Sequence, residues 1–178
     1  MKIKREDNSI LILKPKKIKD ERGFFMEIFK ADLFPKINFI QENVSKSKYG
    51  VIRGLHFQKP PYEQSKLVRV VNGEILDVVV DLRKDSKNYG KSFCYYLSGK
   101  NYNQIYIPPY FAHGFVCLSE YATISYKVDK PYKRDYEWGI NSNDPFLGID
   151  WKVPLDDQIR SLRDKNLPLF NEINSLDF

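Results

Sequence analysis

Two histidines, two cysteines and two tryptophans are all that the 178-residue chain holds of those types, and the shortage excludes several chemistries. His56 and His113 form no HxH pair, so a metal site built on imidazole would have to recruit scattered carboxylates. Cys94 and Cys117 lie in separate apolar runs without a CxxC, which predicts buried free thiols and a cytoplasmic setting rather than a disulfide frame or redox motif. Neither cysteine carries the flanking signature of a nucleophile. No GxGxxG and no GxxxxGKS or GxxxxGKT occurs, so any nucleotide must be held by side chains. Arg22, Arg53, Arg69 and Lys100, in or beside predicted strands, are the candidates. The N-terminal segment offers only the apolar run Ile10–Leu13, too short for a secretory leader or a membrane helix. Repeats, low-complexity tracts and linkers are missing too, and the length fits one domain with one core.

Basic residues are plentiful, 29 against 23 acidic, for a net charge of +6. That balance favours an anionic partner without choosing among nucleotide, nucleic acid and membrane surface. Aromatics make up 15%, with 12 Tyr and 12 Phe, a β-rich composition. Short strands are predicted at 9–14 and 23–30, broken by KPKKIKDERG, then a turn or short helix stopped at Pro35, and an edge strand within 38–46. Asn72-Gly73, between KLVRV and EILDVVVDLR, predicts a hairpin with a type I′ turn. A second hairpin is expected from 91–98 and 104–109, and a third from 114–118 and 122–129. No long helix interrupts residues 40–130, so an all-β barrel or sandwich follows. Beyond Asp129 the chain becomes aromatic and turn-rich, with a short helix expected in VPLDDQIRSLRDKN, Asp156 and Asp157 near its start.

Chemistry concentrates in VIRGLHFQKPPYEQSKLVRVV (51–71). It places His56 and, beyond a Pro-Pro turn, Lys66 in β-like runs, where core packing tolerates few ionisable groups. Alternation puts Lys66, Val68 and Val70 on one face of a strand and Leu67, Arg69 and Val71 on the other. Tyr126 and Lys127 have opposite parity, so one points inward. His113, after a Pro-Pro turn and before Gly114, reads as the mouth of a barrel. Each feature has a plainer reading: a satisfied core histidine, a lysine on a wet face. Together, a histidine, a lysine and a tyrosine on neighbouring strands form a set able to abstract a proton, stabilise an oxyanion and return a proton. Arg53 and His56 have opposite parity in a regular strand and share a site only if Gly54 marks a bulge or kink.

The segments DERGFFMEIF (20–29), QENVSKSKYGVIRGLHFQKPPYEQSKLVRVVNGEILDVVVDLRKDS (41–86), IPPYFAHGFVCLSEYATISYKVDKPY (107–132) and NDPFLGIDW (143–151) carry a recognisable pattern. In them the chain resembles the dTDP-4-dehydrorhamnose 3,5-epimerase family over nearly its whole length. The resemblance implies a single cupin-type jelly-roll domain over residues 1–178 with short helical or irregular ends. It also implies an isomerase that epimerises C3, C5 or both of a nucleotide-diphosphate-linked 4-keto-6-deoxy sugar, for surface-polysaccharide synthesis, with no metal and no cofactor. By resemblance His56 is the base, paired with Asp164, Lys66 lies beside the C4 oxygen, and Tyr126 is the acid on the opposite face. Arg53, His113, Gln41, Asn43 and Tyr132 line the substrate pocket. Arg22, Phe25 and Glu27 reach the neighbouring site of a homodimer. Nucleic acid and membrane are not expected partners. A 3,4-ketoisomerase on the same scaffold usually carries a different histidine pair. A non-catalytic sugar-nucleotide-binding barrel predicts loss of the base or acid, yet both are present.

Overall fold

The computed structural model describes residues 1–6 and 9–173 of the chain. Among the described residues thirteen strands run in order: β1 (Lys2–Arg5), β2 (Leu11–Lys14), β3 (Lys17–Asp20), β4 (Gly23–Met26), β5 (Gln41–Lys48), β6 (Ile52–Gln58), β7 (Lys66–Asn72), β8 (Glu74–Asp81), β9 (Ser92–Ser98), β10 (Gln104–Ile107), β11 (Phe111–Cys117), β12 (Tyr121–Val128) and β13 (Glu137–Gly139). Eleven of them form two facing sheets, one ordered β1-β2-β10-β7-β12-β5 and the other β13-β6-β11-β8-β9, while β3 and β4 form a separate hairpin. The pairings are antiparallel, and from β5 onward the chain mostly alternates between the two sheets. This is the expected all-β, cupin-type jelly roll.

The three expected hairpins are not hairpins. β7 and β8, β9 and β10, and β11 and β12 each put their two strands in opposite sheets. Asn72-Gly73 bends the chain from one sheet to the other without forming a type I′ turn: of the two only Gly73 has a positive φ, +83°, and it has no room for a Cβ, which would lie 2.1 Å from the Tyr121 carbonyl oxygen. Turn chemistry is local and sets only the bend. The partner is chosen by burial: Ile75 and Val79 of β8 face Val68 and Val70 of β7 across the barrel, in one core with Ile105, Phe111 and Ile124.

Two further apolar layers cover the outer faces. Leu76, Val78 and Val80 pack under Ile140, Trp151 and Phe170 of the C-terminal region. Leu13, Leu67 and Tyr106 pack under Phe34 and its neighbours Phe29 and Phe39. The aromatic, irregular segments thus close the sandwich on both sides. β1 and β3 lie where a breaker-rich, lysine-rich sequence gives little strand signal. β1 is an exposed edge strand, and its three basic residues suit that position. The predicted strand at 23–30 ends at Met26, and β5 lies at the sheet edge, as expected. The expected helix is divided: Leu155–Asp157 is one 3-10 turn and α1 spans Leu162–Lys165. Between them Ile159 bridges to Val51, its backbone N–H bonded to the Gly50 carbonyl, which takes those residues out of a helical path.

Candidate active site

Inward-facing side chains of β6, β7, β11 and β12 meet in a cavity of about 510 Å³ between the sheets, with Arg53, His56, Lys66, His113, Tyr126 and Asp164 in its wall. A second chamber of about 320 Å³, walled by Gln41, Asn43, Tyr132 and Glu137, also contains His56, Lys66 and Tyr126. The trio therefore stands where the two chambers meet.

The kink at Gly54 resolves the parity conflict in β6. His113 pairs with His56 and Phe115 with Arg53, so β6 uses one more residue than β11 over the same span. The extra residue turns both Arg53 and His56 inward. Gly54 has φ +108°, and a Cβ there would lie 2.5 Å from the His113 carbonyl oxygen. The Arg53 guanidinium donates to Ser47 Oγ at 3.0 Å.

His56 Nε2 lies 2.8 Å from Asp164 Oδ1. Asp164 is buried in the single turn of α1, where Ser161 Oγ accepts the Asp164 backbone N–H at 3.0 Å. Burial alone would raise the Asp164 carboxyl, but the hydrogen bond from His56, its charge and the Gly54 N–H together hold it below the usual carboxylate range. This fixes a carboxylate against one ring nitrogen and leaves the rest of the imidazole to the cavity.

Lys66 points its ammonium inward, 3.5 Å from the His56 carbonyl oxygen. Burial pushes its pKa down to about 8, while the negative charges of Asp77 and Glu137 hold it up against further loss. Tyr126 pairs with Asn43 across β12 and β5. Burial raises its phenol, and the Asn43 hydrogen bond and the Arg53 charge oppose that rise. Lys127, of opposite parity, faces outward and pairs with Glu42 at 2.5 Å.

Two carboxylates that sequence reasoning missed complete the site. Asp77, fully buried in the apolar run of β8, places Oδ2 2.8 Å from His113 Nε2, and its Oδ1 has no hydrogen-bond partner. The available signal was an aspartate inside EILDVVVD. Glu137 of β13 accepts from Tyr132 Oη at 2.7 Å and pairs with Arg163 at 2.5 Å. Burial works to raise its carboxyl, but these two partners keep it below the ordinary range. Nothing in YEWGIN marked it.

Of the other predicted residues, Gln41 and Asn43 hydrogen-bond each other at 2.8 Å in the wall of the second chamber. Arg22, Phe25 and Glu27 line neither chamber. Arg22 pairs with Asp20 at 2.6 Å at the tip of the β3–β4 hairpin, and Phe25 is 69% exposed. Arg69 faces outward into a separate cavity, and Lys100 is exposed beside Glu74. Among the described residues, no three His, Cys, Asp or Glu side chains gather as metal ligands, and no helix is long and apolar enough to cross a membrane.

A family model described as dTDP-4-dehydrorhamnose 3,5-epimerase matches residues 6–172. The chain is 44% identical, over 92% of its length and 91% of the relative's, to dTDP-4-dehydrorhamnose 3,5-epimerase of Methanothermobacter thermautotrophicus. Its fold superposes with a TM-score of 0.92 and 43% identity on the crystal structure of the enzyme so named from Elizabethkingia anophelis, covering 98% of both chains. It superposes with a TM-score of 0.91 and 39% identity on dTDP-6-deoxy-D-glucose-3,5-epimerase of Legionella pneumophila in complex with dTDP-4-keto-L-rhamnose, covering 97% of this chain and 94% of that one.

Proposed function

The chain belongs to the dTDP-4-dehydrorhamnose 3,5-epimerase family, and from that premise we propose that it epimerises C3 and C5 of a dTDP-linked 4-keto-6-deoxy sugar in polysaccharide sugar synthesis. The observation that carries the reading is the meeting of the His56–Asp164 pair, Lys66 and Tyr126 in one cavity.

A proton beside a ketone is weakly acidic, and its removal needs a base that titrates near neutrality, which imidazole supplies. His56 takes the proton through the ring nitrogen not held by Asp164, and Asp164 orients the ring and stabilises the imidazolium. The charge moves to the C4 oxygen. Lys66, an ammonium fixed in the cavity wall, stabilises the enolate more than the ketone and so lowers the barrier. Inversion needs a proton delivered to the other face, and Tyr126 supplies it, solvent restoring the phenol. Arg53, in the wall of the first cavity, holds the substrate by charge-assisted hydrogen bonds, converting binding energy into orientation. The chamber of Gln41, Asn43, Tyr132 and Glu137 takes the nucleotide end.

The protein acts as a homodimer. Support comes from the β3–β4 hairpin, which exposes Ile18, Phe24 and Phe25 and carries Arg22 away from its own cavity; Glu27 follows it. Paired with a second copy, this apolar surface is covered and Arg22, Phe25 and Glu27 extend the neighbouring nucleotide site. A cytoplasmic setting fits the free thiols of Cys94 and Cys117; Cys117 is buried as expected, whereas Cys94, on the edge strand β9, is exposed.

The test is incubation with dTDP-4-keto-6-deoxyglucose in D2O, followed by NMR at C3 and C5. Deuterium is expected at both carbons. His56→Asn is expected to slow exchange by roughly 10²–10⁴-fold, the usual contribution of a positioned base. Absence of exchange at both carbons would falsify the epimerase reading, and full-rate exchange in the variant would remove His56 as the base.

A further inference from the structure

Four buried apolar residues line the first cavity, and three of them come from the core between the sheets: Val68 of β7, Phe115 of β11 and Ile124 of β12. Each of these three is fixed against a polar residue of the site. Val68 follows Lys66 on the same face of β7, about 6.6 Å along the strand. Ile124 precedes Tyr126 on the same face of β12, and its partner on β7 is Val70. Phe115 pairs with Arg53 on one side and Asp77 on the other. The proposed chemistry uses none of the three.

In a pyranose, C1 and C4 are opposite corners of the ring. A sugar tethered through C1 to a diphosphate on the side of the second chamber, which takes the nucleotide end, with its C4 oxygen at Lys66, therefore enters the first cavity with C4 leading and with C3 and C5 flanking it. C3 carries a hydroxyl, whereas C5 of a 6-deoxy sugar carries a methyl. A hydroxyl packed on the side chains of Val68, Phe115 and Ile124 would lose water and gain no hydrogen bond from them, whereas a methyl only sheds apolar surface. Resting on the epimerase reading above, we propose that Val68, Phe115 and Ile124 form the subsite for the C6 methyl group, and that this floor makes the enzyme selective for 6-deoxy sugars over their 6-hydroxy counterparts.

The same floor bears on the chemistry. A carbanion at C5 with a hydroxyl on C6 can expel that group as hydroxide: the C5 electron pair becomes the C5–C6 double bond and the C6–O bond breaks. A C6 methyl offers no leaving group, so the enolate survives until its carbon is reprotonated. Selecting the methyl before proton abstraction keeps the reaction an epimerisation.

The experiment compares dTDP-6-deoxy-D-glucose with dTDP-D-glucose, which differ by one oxygen and, lacking a ketone, cannot react. Calorimetry gives both dissociation constants for the wild-type protein, for Val68→Thr and Ile124→Thr, and for a control, Val70→Thr, which faces the core one step beyond Val68. The wild type is expected to favour the 6-deoxy sugar by about tenfold, inside the roughly 10²-fold limit for an apolar pocket rejecting an added hydroxyl. Val68→Thr or Ile124→Thr is expected to narrow that ratio severalfold, and Val70→Thr to leave it unchanged. Equal wild-type affinities, or a ratio moved as far by Val70→Thr as by both floor variants, would overturn the subsite. Wild-type deuterium exchange on the 4-keto substrate, measured alongside, separates the two failures. Exchange with equal affinities sinks only the methyl subsite, and no exchange sinks the epimerase reading beneath it.

Discussion

At the level of single residues, the site is a balance of buried charges. Lys66 titrates near 8 because burial disfavours its ammonium, and Asp77 limits the fall. The enolate needs the charged form, so activity is expected to decline as pH rises through about 8. Asp77→Asn removes a negative charge that favours the ammonium. The alkaline limb of the kcat profile should therefore shift to lower pH, by roughly one unit for a loss of about 1.4 kcal/mol of attraction. A variant profile unchanged on that limb would show that Asp77 does not govern Lys66. His56 and Lys66 were legible in the sequence because ionisable groups stood out in apolar strands. Asp77 stood in a similar run and was passed over, and Glu137 lay in a segment too rich in charge and turns for one carboxylate to stand out. Burial separates such residues from their neighbours, and burial here is set by the opposite sheet and the covering segments.

Among the elements, β6 contributes most through its irregularity. Gly54 supplies the positive φ and the empty space that let Arg53 and His56 face one way. Gly54→Ala forces a methyl against the backbone of β11 and is expected to cost on the order of 1–3 kcal/mol of stability, read as a lower midpoint in urea unfolding. Surviving folded protein should lose affinity for substrate, since Arg53 no longer shares the cavity with His56. A variant as stable and active as the wild type would show that the kink is dispensable. Strand positions between residues 40 and 130 were largely legible, because alternation and turn residues are local properties. Strand partners were not. Hairpins and sheet-to-sheet crossings share the same alternation and the same turn residues, so KLVRV-NG-EILDV reads alike for either. The division of the expected helix at Ile159 depends on a bridge to Val51, a long-range contact that no helical pattern encodes.

For the whole molecule, the exposed β3–β4 hairpin is the feature a lone chain leaves unexplained. Burying a phenylalanine contributes about 1.5–3 kcal/mol, and a symmetric dimer buries it twice. Phe25→Asp is therefore expected to weaken dimerisation by on the order of 10²-fold or more, seen as a monomer in light scattering at micromolar concentration. If the dimer proposed above forms, exchange activity should fall with dimer content, because Arg22 and Glu27 would no longer reach the neighbouring site; a monomer of undiminished activity would refute the shared site. The alternation of consecutive strands between sheets also bears on how fast the molecule forms. Among β5 to β12, only β8 and β9 are both chain neighbours and ladder partners, so most pairing must wait for distant segments to meet. Chains dominated by such non-local pairing fold in roughly milliseconds to seconds. His56, Lys66 and Tyr126 come from strands of both sheets, so no half-formed barrel holds all three in place. Regain of proton exchange after dilution from urea should lag the recovery of β-sheet signal, and the lag times the closing of the two sheets onto each other.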